Sequence, residues 1–334
     1  MTLVNDMGNV PGRNMRLASL ARPARKARMP AAPAHKDRRG RAIAYRVGSA
    51  TGFALMAAMI KVAADDGIAV VEIMFWRFAF GLLPLFAFMA LGPGARVIRT
   101  QRFGAHLWRS AIGLVSMYLS FRALAALPLA EATTISFAAP LFAIAMSALL
   151  LGERVGPRRW SAVAVGFLGV VIVADPGGER IPTAGLLFAV GGAIGVAAVT
   201  IAIRRIGRTE ASETTVFWFS ALSLTVLAVP TLQAATPHDA REWMLLLCIG
   251  LTGGVAQLFM TGSLRLAPVS VIAPFDYSQL IWAVLLGWAI WNTAPTPQTW
   301  LGATIIAACG LYSAYRERKL QQLAAVANVP SYRS

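Results

Sequence analysis

Of 334 residues, 57% are hydrophobic and 14% are charged, against about 25% charged in an ordinary soluble domain, so little of the chain is left for a soluble enzyme or binding module. The formal charge of +16 would call for nucleic acid if the Lys and Arg residues gathered into one patch. They fall instead at the ends of apolar runs, where the positive-inside effect accounts for them, and nucleic acid is excluded as a partner.

Residues 1–44 are rich in Ala, Arg and Pro and hold no apolar run long enough for a signal-peptide core. Such a composition cannot bury enough surface to fold, so the segment reads as a disordered, basic cytoplasmic tail lying against lipid. An organelle transit peptide, or a translation start at Met15 or Met29, fits the same residues, and the sequence does not choose among the three.

Ten apolar runs follow: Val47–Ala64, Val71–Leu91, Ala105–Ala125, Ala130–Leu150, Trp160–Ala174, Thr183–Ile203, Thr214–Leu232, Trp243–Ser263, Val269–Ile290 and Gln298–Tyr315. A hydrocarbon core of about 30 Å needs about 20 helical residues per crossing, so the expected fold is an all-α membrane protein with ten transmembrane helices. With the eleven Lys and Arg residues up to Arg46 counted with the tail, fifteen more fall on the side of the amino terminus, against Lys61, Arg122, Arg180 and Arg241 on the other. That bias puts both termini in the cytoplasm, with residues 317–334 as a second tail.

Cys248 and Cys309 both fall within runs, where packing is their default role. His35, His106 and His238 are scattered, and no Cys/His cluster has metal-ligand spacing. No G-x-G-x-x-G, Walker A, G-x-S-x-G or H-E-x-x-H string occurs, so no cofactor, metal, ATP-driven pump or hydrolase is expected.

At a fixed offset of 140 positions, Pro128 matches Pro268, Ala143 matches Ala283, Pro157 matches Pro297 and Trp160 matches Trp300. The same offset superposes a break, an apolar span, a proline-containing break and a further span. Phe75-Trp76 and Phe217-Trp218 correspond at 142. Five helices per unit is odd, so a second unit over 176–316 must enter the membrane inverted relative to the first over 45–175.

The run from Phe121 through Pro128 to Pro140, then Leu151-Gly152-Glu153 and Arg159-Trp160, resembles the EamA unit of the drug/metabolite transporter superfamily; Leu266-Ala-Pro268, Ala273-Pro-Phe-Asp-Tyr277 and Trp300-Leu-Gly302 resemble its second copy. Phe75-Trp-Arg-Phe78 and Ala273–Tyr277 look most like the branch of S-adenosylmethionine and riboflavin uptake carriers. The resemblance implies ten helices in two inverted five-helix EamA repeats, a bacterial inner membrane, and passage of a small organic solute without ATP hydrolysis. The second copy departs at Asn292-Thr293, where a Gly-Glu pair is expected.

Two charges lie deep within runs, where each costs about 2.5–3.5 kcal/mol and is normally turned inward. Arg77 suits a substrate carboxylate or phosphate, and Asp276 a cationic group or a coupling proton; alternatively they pair with each other or with backbone carbonyls. Ser136 is the offset-140 counterpart of Asp276. Around them lie Tyr277, Gln279 and Trp282 in one copy and Thr133, Thr134 and Phe137 in the other, a set that suits a heterocyclic or amino-acid-like solute stacked on Tyr277 or Trp282. Pro140 and Pro274 are expected to free carbonyls within spans.

Lys61, Asp65, Asp66, Glu72, Arg122 and Glu131 gather at the predicted outer mouth as a solvated rim, with Arg122 and Glu131 as a candidate vestibule pair. Arg109, Glu153, Arg158 and Arg159 are expected to fix loops on the inner face. Gly191 and Gly195 form a small-residue stripe for close helix contact. Trp243 and Trp291 read as interface anchors.

The expected function is secondary active transport of a small organic metabolite by alternating access, with export as the alternative to import. A non-transporting scaffold or sensor, or an integral-membrane enzyme acting on lipid, are the other classes. Lipid and a small-molecule substrate are the expected partners; oligomeric state is left open.

Overall fold

Within lipid every backbone N–H and C=O must find its partner inside the protein, and helices are the simplest solution for apolar runs of this length. The computed structural model describes residues 35–92, 94, 98–152, 155–175, 181–206, 210–267 and 269–327, and every regular element among them is helical. Residues 1–34 of the expected tail, and Glu153 and Pro268, lie outside the described residues.

The elements are α1 (His35–Asp65), α2 (Val70–Leu91), α3 (Phe103–Ala126), α4 (Leu129–Ser136), α5 (Ala139–Leu151), α6 (Pro157–Ala174), α7 (Thr183–Ile206), α8 (Ser212–Ala234), α9 (Ala240–Leu266), α10 (Val269–Ile272), a 3-10 turn (Ala273–Tyr277), α11 (Ser278–Trp291) and α12 (Pro297–Ala327). Seven stretches among the described residues, α1, α2, α4 with α5, α6, α7, α8 and α9, are long and apolar enough to cross a membrane. α1 begins at His35, within the expected tail, and α12 continues past Tyr315 to Ala327. Both extensions are rich in Ala, Arg, Lys and Gln, strong helix formers.

Two expected spans are broken at their prolines. α4 yields to α5 at Phe137, whose N–H is shared between the carbonyls of Thr133 and Thr134, and Pro140 enters the first turn of α5. α10 yields to α11 through the 3-10 turn, which holds Pro274 in its own first turn. A proline there sacrifices little, because first-turn N–H groups lack intrahelical partners anyway. At each break a serine hydroxyl satisfies a local carbonyl: Ser136 donates to Thr133 and Ser278 to Phe275, both at 2.7 Å.

The ends of the broken segments also correspond. Gly152 closes α5 with φ 65° and Asn292 closes α11 with φ 53°. Asn is the side chain that best tolerates this left-handed cap, so the departure at Asn292 keeps the backbone geometry. Pro157 and Pro297 then open α6 and α12.

Packing is reciprocal. α1 packs chiefly on α9 and α3 on α7; α11 lies on α1 and α5 on α7; α2 pairs with α8 and α6 with α12. Exchanging α1 with α7, α2 with α8, α3 with α9, α4–α5 with α10–α11 and α6 with α12 returns the same set. Glycine allows the two most extensive contacts: a Cβ at Gly52 would stand 2.8 Å from the Ala256 Cβ, and one at Gly195 only 2.9 Å from the Ser116 Cα. Close backbone approach of this kind drives helix association in lipid, where apolar surface gains nothing by leaving the solvent. Leu149, Leu187 and Leu232, 76%, 67% and 81% exposed, fit a bilayer as that solvent.

The two largest buried clusters lie toward the end of the bundle opposite the start of α1. One gathers Ile60, Ile73, Met74, Leu246 and Ile249, the other Leu127, Ile135, Val173 and Ile306. The two large cavities occupy the other half.

Candidate functional site

Two cavities of about 500 and 510 Å³ adjoin there, and Phe53, Val196, Thr200, Met260 and Gln279 line both. The first forms where the two helix breaks approach α1 and α12, and its polar wall comprises Arg46, Ser49, Ser136, Ser147, Arg159, Asp276, Gln279 and Ser313. Asp276 sits on the 3-10 turn. The Arg46 guanidinium forks it, Nε donating to Oδ1 and Nη2 to Oδ2, the two-pronged arrangement that makes Arg–carboxylate pairs strong and directional. Their side chains are 13% and 30% exposed.

The second cavity is bounded by α1, α2, α3, α7, α8, α9 and α11, and its wall carries Arg77, Arg109, Glu213, Phe219 and Gln257. Arg77 Nε and Arg109 Nε and Nη1 are buried without a hydrogen-bond partner among the described residues. The Arg109 guanidinium lies 3.8 Å from the centre of the Phe219 ring, and Glu213 is ion-paired with Arg265. Arg77 and Asp276 therefore face different cavities and do not pair with each other.

Arg109 is a correction. Expected to fix a loop on the inner face, it is 8% exposed, because it shares a helix face with Gly113, Ser116 and Ser120, all of which line the same cavity. That small and polar stripe at helical spacing is the sequence signal that marks it. Arg46, counted from sequence as a tail charge, shares the face of Ser49 and Phe53 in the same way.

The remaining candidates divide. Ser136 reaches the first cavity, and Gln279 borders both. Tyr277 stacks on Phe137 with centroids 4.8 Å apart and lines a smaller pocket of about 200 Å³ with Thr134 and Thr299. Trp282 is 36% exposed and lines none of these three cavities, while neighbouring Ala283 takes the inward position at 1%. The expected vestibule pair is not formed among the described residues: Arg122 lies 5.1 Å from the Phe188 ring centre, and buried Glu131 accepts a 3.0 Å hydrogen bond from Thr299 Oγ1.

Of the expected solvated rim, Asp65 and Asp66 are exposed, while Glu72 and Glu131 are buried and Glu72 belongs to an interlocked layer. His238 bridges Glu72 Oε1 through Nε2 at 2.8 Å and Glu242 Oε2 through Nδ1 at 3.0 Å. Asp239 caps α9 reciprocally with Glu242, which fixes the loop that presents the imidazole. Arg241 meets Asp66 at 3.1 Å, and the Trp291 indole donates to Asp65 at 2.8 Å. Burial alone would depress the His238 pKa, but the hydrogen bonds and charges of Glu72 and Glu242 outweigh it and hold the imidazole above its ordinary 6.5. Among the described residues no group of three or more His, Cys, Asp or Glu is placed to hold a metal ion.

Residues 40–174 and 183–314 each match the EamA-like transporter family. The chain belongs to that family. This EamA-like transporter is 32% identical to a riboflavin transporter of Rhizobium johnstonii over 250 residues, 74% of this chain and 82% of the relative. A pseudopaline exporter of Pseudomonas aeruginosa is 28% identical over 256 residues, 76% and 89% of the two chains. An S-adenosylmethionine uptake transporter of Rickettsia conorii is 28% identical over 250 residues, 74% and 84%. A solved crystal structure superposes with a TM-score of 0.55 at 21% identity, covering 82% of this chain and 98% of its own, a likeness of fold. The protein is thus a multi-pass membrane transporter built from two EamA repeats.

Proposed function

We propose that this protein is a secondary carrier of a small organic metabolite, exposing its paired cavities alternately to the two sides of the membrane. One observation carries the reading: the two large cavities adjoin at Gln279 in one half of the bundle, while the other half holds the larger apolar clusters, a pocket of only about 200 Å³ and the Glu72–His238–Glu242 layer. A central site with one end occupied by cavities and the other closed is the asymmetry that alternating access needs.

The reciprocal packing supports ten crossings in two inverted five-helix units, 45–175 and 176–316, with α4–α5 and α10–α11 each a single broken crossing. Discontinuous helices meeting near a cavity are a recurrent way to build a carrier site, since irregular backbone is tolerated where it lines one. The Lys/Arg bias supports cytoplasmic termini, with 1–44 and 317–334 as tails and the cavities toward the cytoplasm of a bacterial inner membrane. Relatives named for riboflavin, S-adenosylmethionine and pseudopaline support a heterocyclic or amino-acid-like metabolite as substrate. Ser136, Asp276 and Gln279 contact it in the first cavity and Arg77 in the second, with Tyr277 bracing the wall behind.

Proteoliposome uptake tests this. Labelled riboflavin, S-adenosylmethionine and amino acids are offered to the reconstituted protein with and without an imposed proton gradient. Saturable accumulation of at least one, above protein-free vesicles, is expected. Background accumulation of all of them, together with lipid turnover by the same preparation, would overturn the reading in favour of a membrane enzyme.

A further inference from the structure

We infer that the second cavity is an anion subsite in which Arg77 and Arg109 together receive a carboxylate or phosphate carried by the transported solute. The inference rests on the carrier reading and gives its substrate a chemical class. It begins from charge. A guanidinium enclosed in a low-dielectric bundle loses its hydration, and the loss is made good only by a partner that also satisfies its N–H groups.

Three other arginines among the described residues have a carboxylate at hand, although Arg46 Nη1 is itself buried without an acceptor. Arg46 forks Asp276, Arg241 meets Asp66 and Arg265 pairs with Glu213. Arg77 and Arg109 have no carboxylate partner and no acceptor for three of their buried nitrogens among the described residues. Two like charges on one wall add repulsion to desolvation. The acidic side chain of that wall, Glu213, is already engaged by Arg265. An oxyanion entering the cavity relieves both penalties at once.

Shape agrees. Phe219 lies against the Arg109 guanidinium at 3.8 Å, and such stacking fixes the plane while leaving the N–H edge free to fork an oxyanion. A Cβ at Gly113 would stand 2.9 Å from the Phe219 ring that lies against Arg109, so glycine there leaves the ring its place. Gln279, on the wall of both cavities, marks where the neutral body of such a solute passes from the first lobe to the second.

The test uses the full-length protein in lipid nanodiscs, with inorganic phosphate and acetate as probes at constant ionic strength. Phenylglyoxal labels accessible arginines, and peptide mass spectrometry reads the rate at Arg77 and Arg109 separately. Either probe is expected to slow labelling of both residues saturably, by roughly fivefold or more, and to raise the melting temperature over the same concentration range by mass action. Arg77→Gln and Arg109→Gln should each weaken half-saturation by roughly tenfold or more, as for loss of a charge-assisted hydrogen bond. Unchanged labelling rates in both probes, or an equal thermal shift in the Gln variants, would overturn the subsite. Should a Gln variant fail to fold, protection of the unaltered protein decides alone. Riboflavin or S-adenosylmethionine uptake without anion protection leaves the carrier standing and removes the subsite; protection without any uptake does the reverse.

Discussion

Arg46 and Asp276, 230 positions apart, are joined by both prongs of a guanidinium–carboxylate fork, so that α1 of one repeat holds the turn between α10 and α11 of the other. The stacking of Tyr277 on Phe137 holds the same turn from another side. Asp276→Asn and Arg46→Gln should each lower stability by about 1–3 kcal/mol, below the cost of breaking a fully buried pair, because the Asp276 side chain is 30% exposed. The double variant should lose less than the sum of the two, since both remove one shared interaction. Strictly additive shifts in thermal melts of the four proteins would show that the two side chains are not coupled.

His238 makes the opposite end of the bundle sensitive to pH. Its imidazole is held above 6.5 by Glu72 and Glu242 despite burial, so the folded state binds the proton more tightly than the unfolded chain does. The resulting stability is fully present below pH 6.5 and is lost as pH rises through the raised value. A series of melts from pH 5.5 upward should therefore show a decline that begins above 6.5. His238→Gln should flatten that decline and cost about 1–3 kcal/mol at low pH through the lost charge-assisted bonds. A slope that survives in the variant would assign the pH response to another group.

Gly195 and Gly191 face the same helix, yet a methyl group at each should have different effects. At Gly195 the added Cβ would meet the Ser116 Cα at 2.9 Å, a backbone atom that moves only if α3 and α7 separate. At Gly191 it would meet Leu119 Cδ1 at 3.2 Å, the tip of a side chain that can rotate away. Gly195→Ala should therefore destabilise by about 1–3 kcal/mol, as overpacking does, and Gly191→Ala by well under half of that. Denaturation midpoints of the two variants, read side by side, check the order.

Much of this architecture is legible in one dimension. Pro140 and Pro274 mark the two helix breaks, and the offset-140 pair Pro157 and Pro297 marks the helices that follow them. Asn292 shows why the pattern survives a changed residue, since the left-handed cap and not the glycine itself is what the backbone requires. The charges at helix ends are harder to read, because a rule that counts Arg by compartment cannot tell a solvated guanidinium from one turned into a cavity. Arg46 and Arg109 lie within a turn or two of a span's edge, where sequence position fits either. Glu72 and Glu131 likewise sit at first turns, and only the facing His238 and Thr299 reveal that they are enclosed.

Gln279 and Trp282 lie three residues apart on α11 and separate the cavity wall from the outer surface. Three steps of a helix turn the side chain by about 60° from its starting direction, enough to take Trp282 off both large cavities and leave it 36% exposed, while Gln279 borders both. Gln279→Ala should raise the KM for uptake by roughly tenfold, the scale of one buried hydrogen bond, with little change in melting temperature. Trp282→Ala should leave KM unaltered, because no stacking on a bound solute is lost. Initial rates in proteoliposomes against substrate concentration separate the two, and a KM effect at Trp282 with none at Gln279 would move the solute out of these cavities and onto the face of α11 that Trp282 occupies.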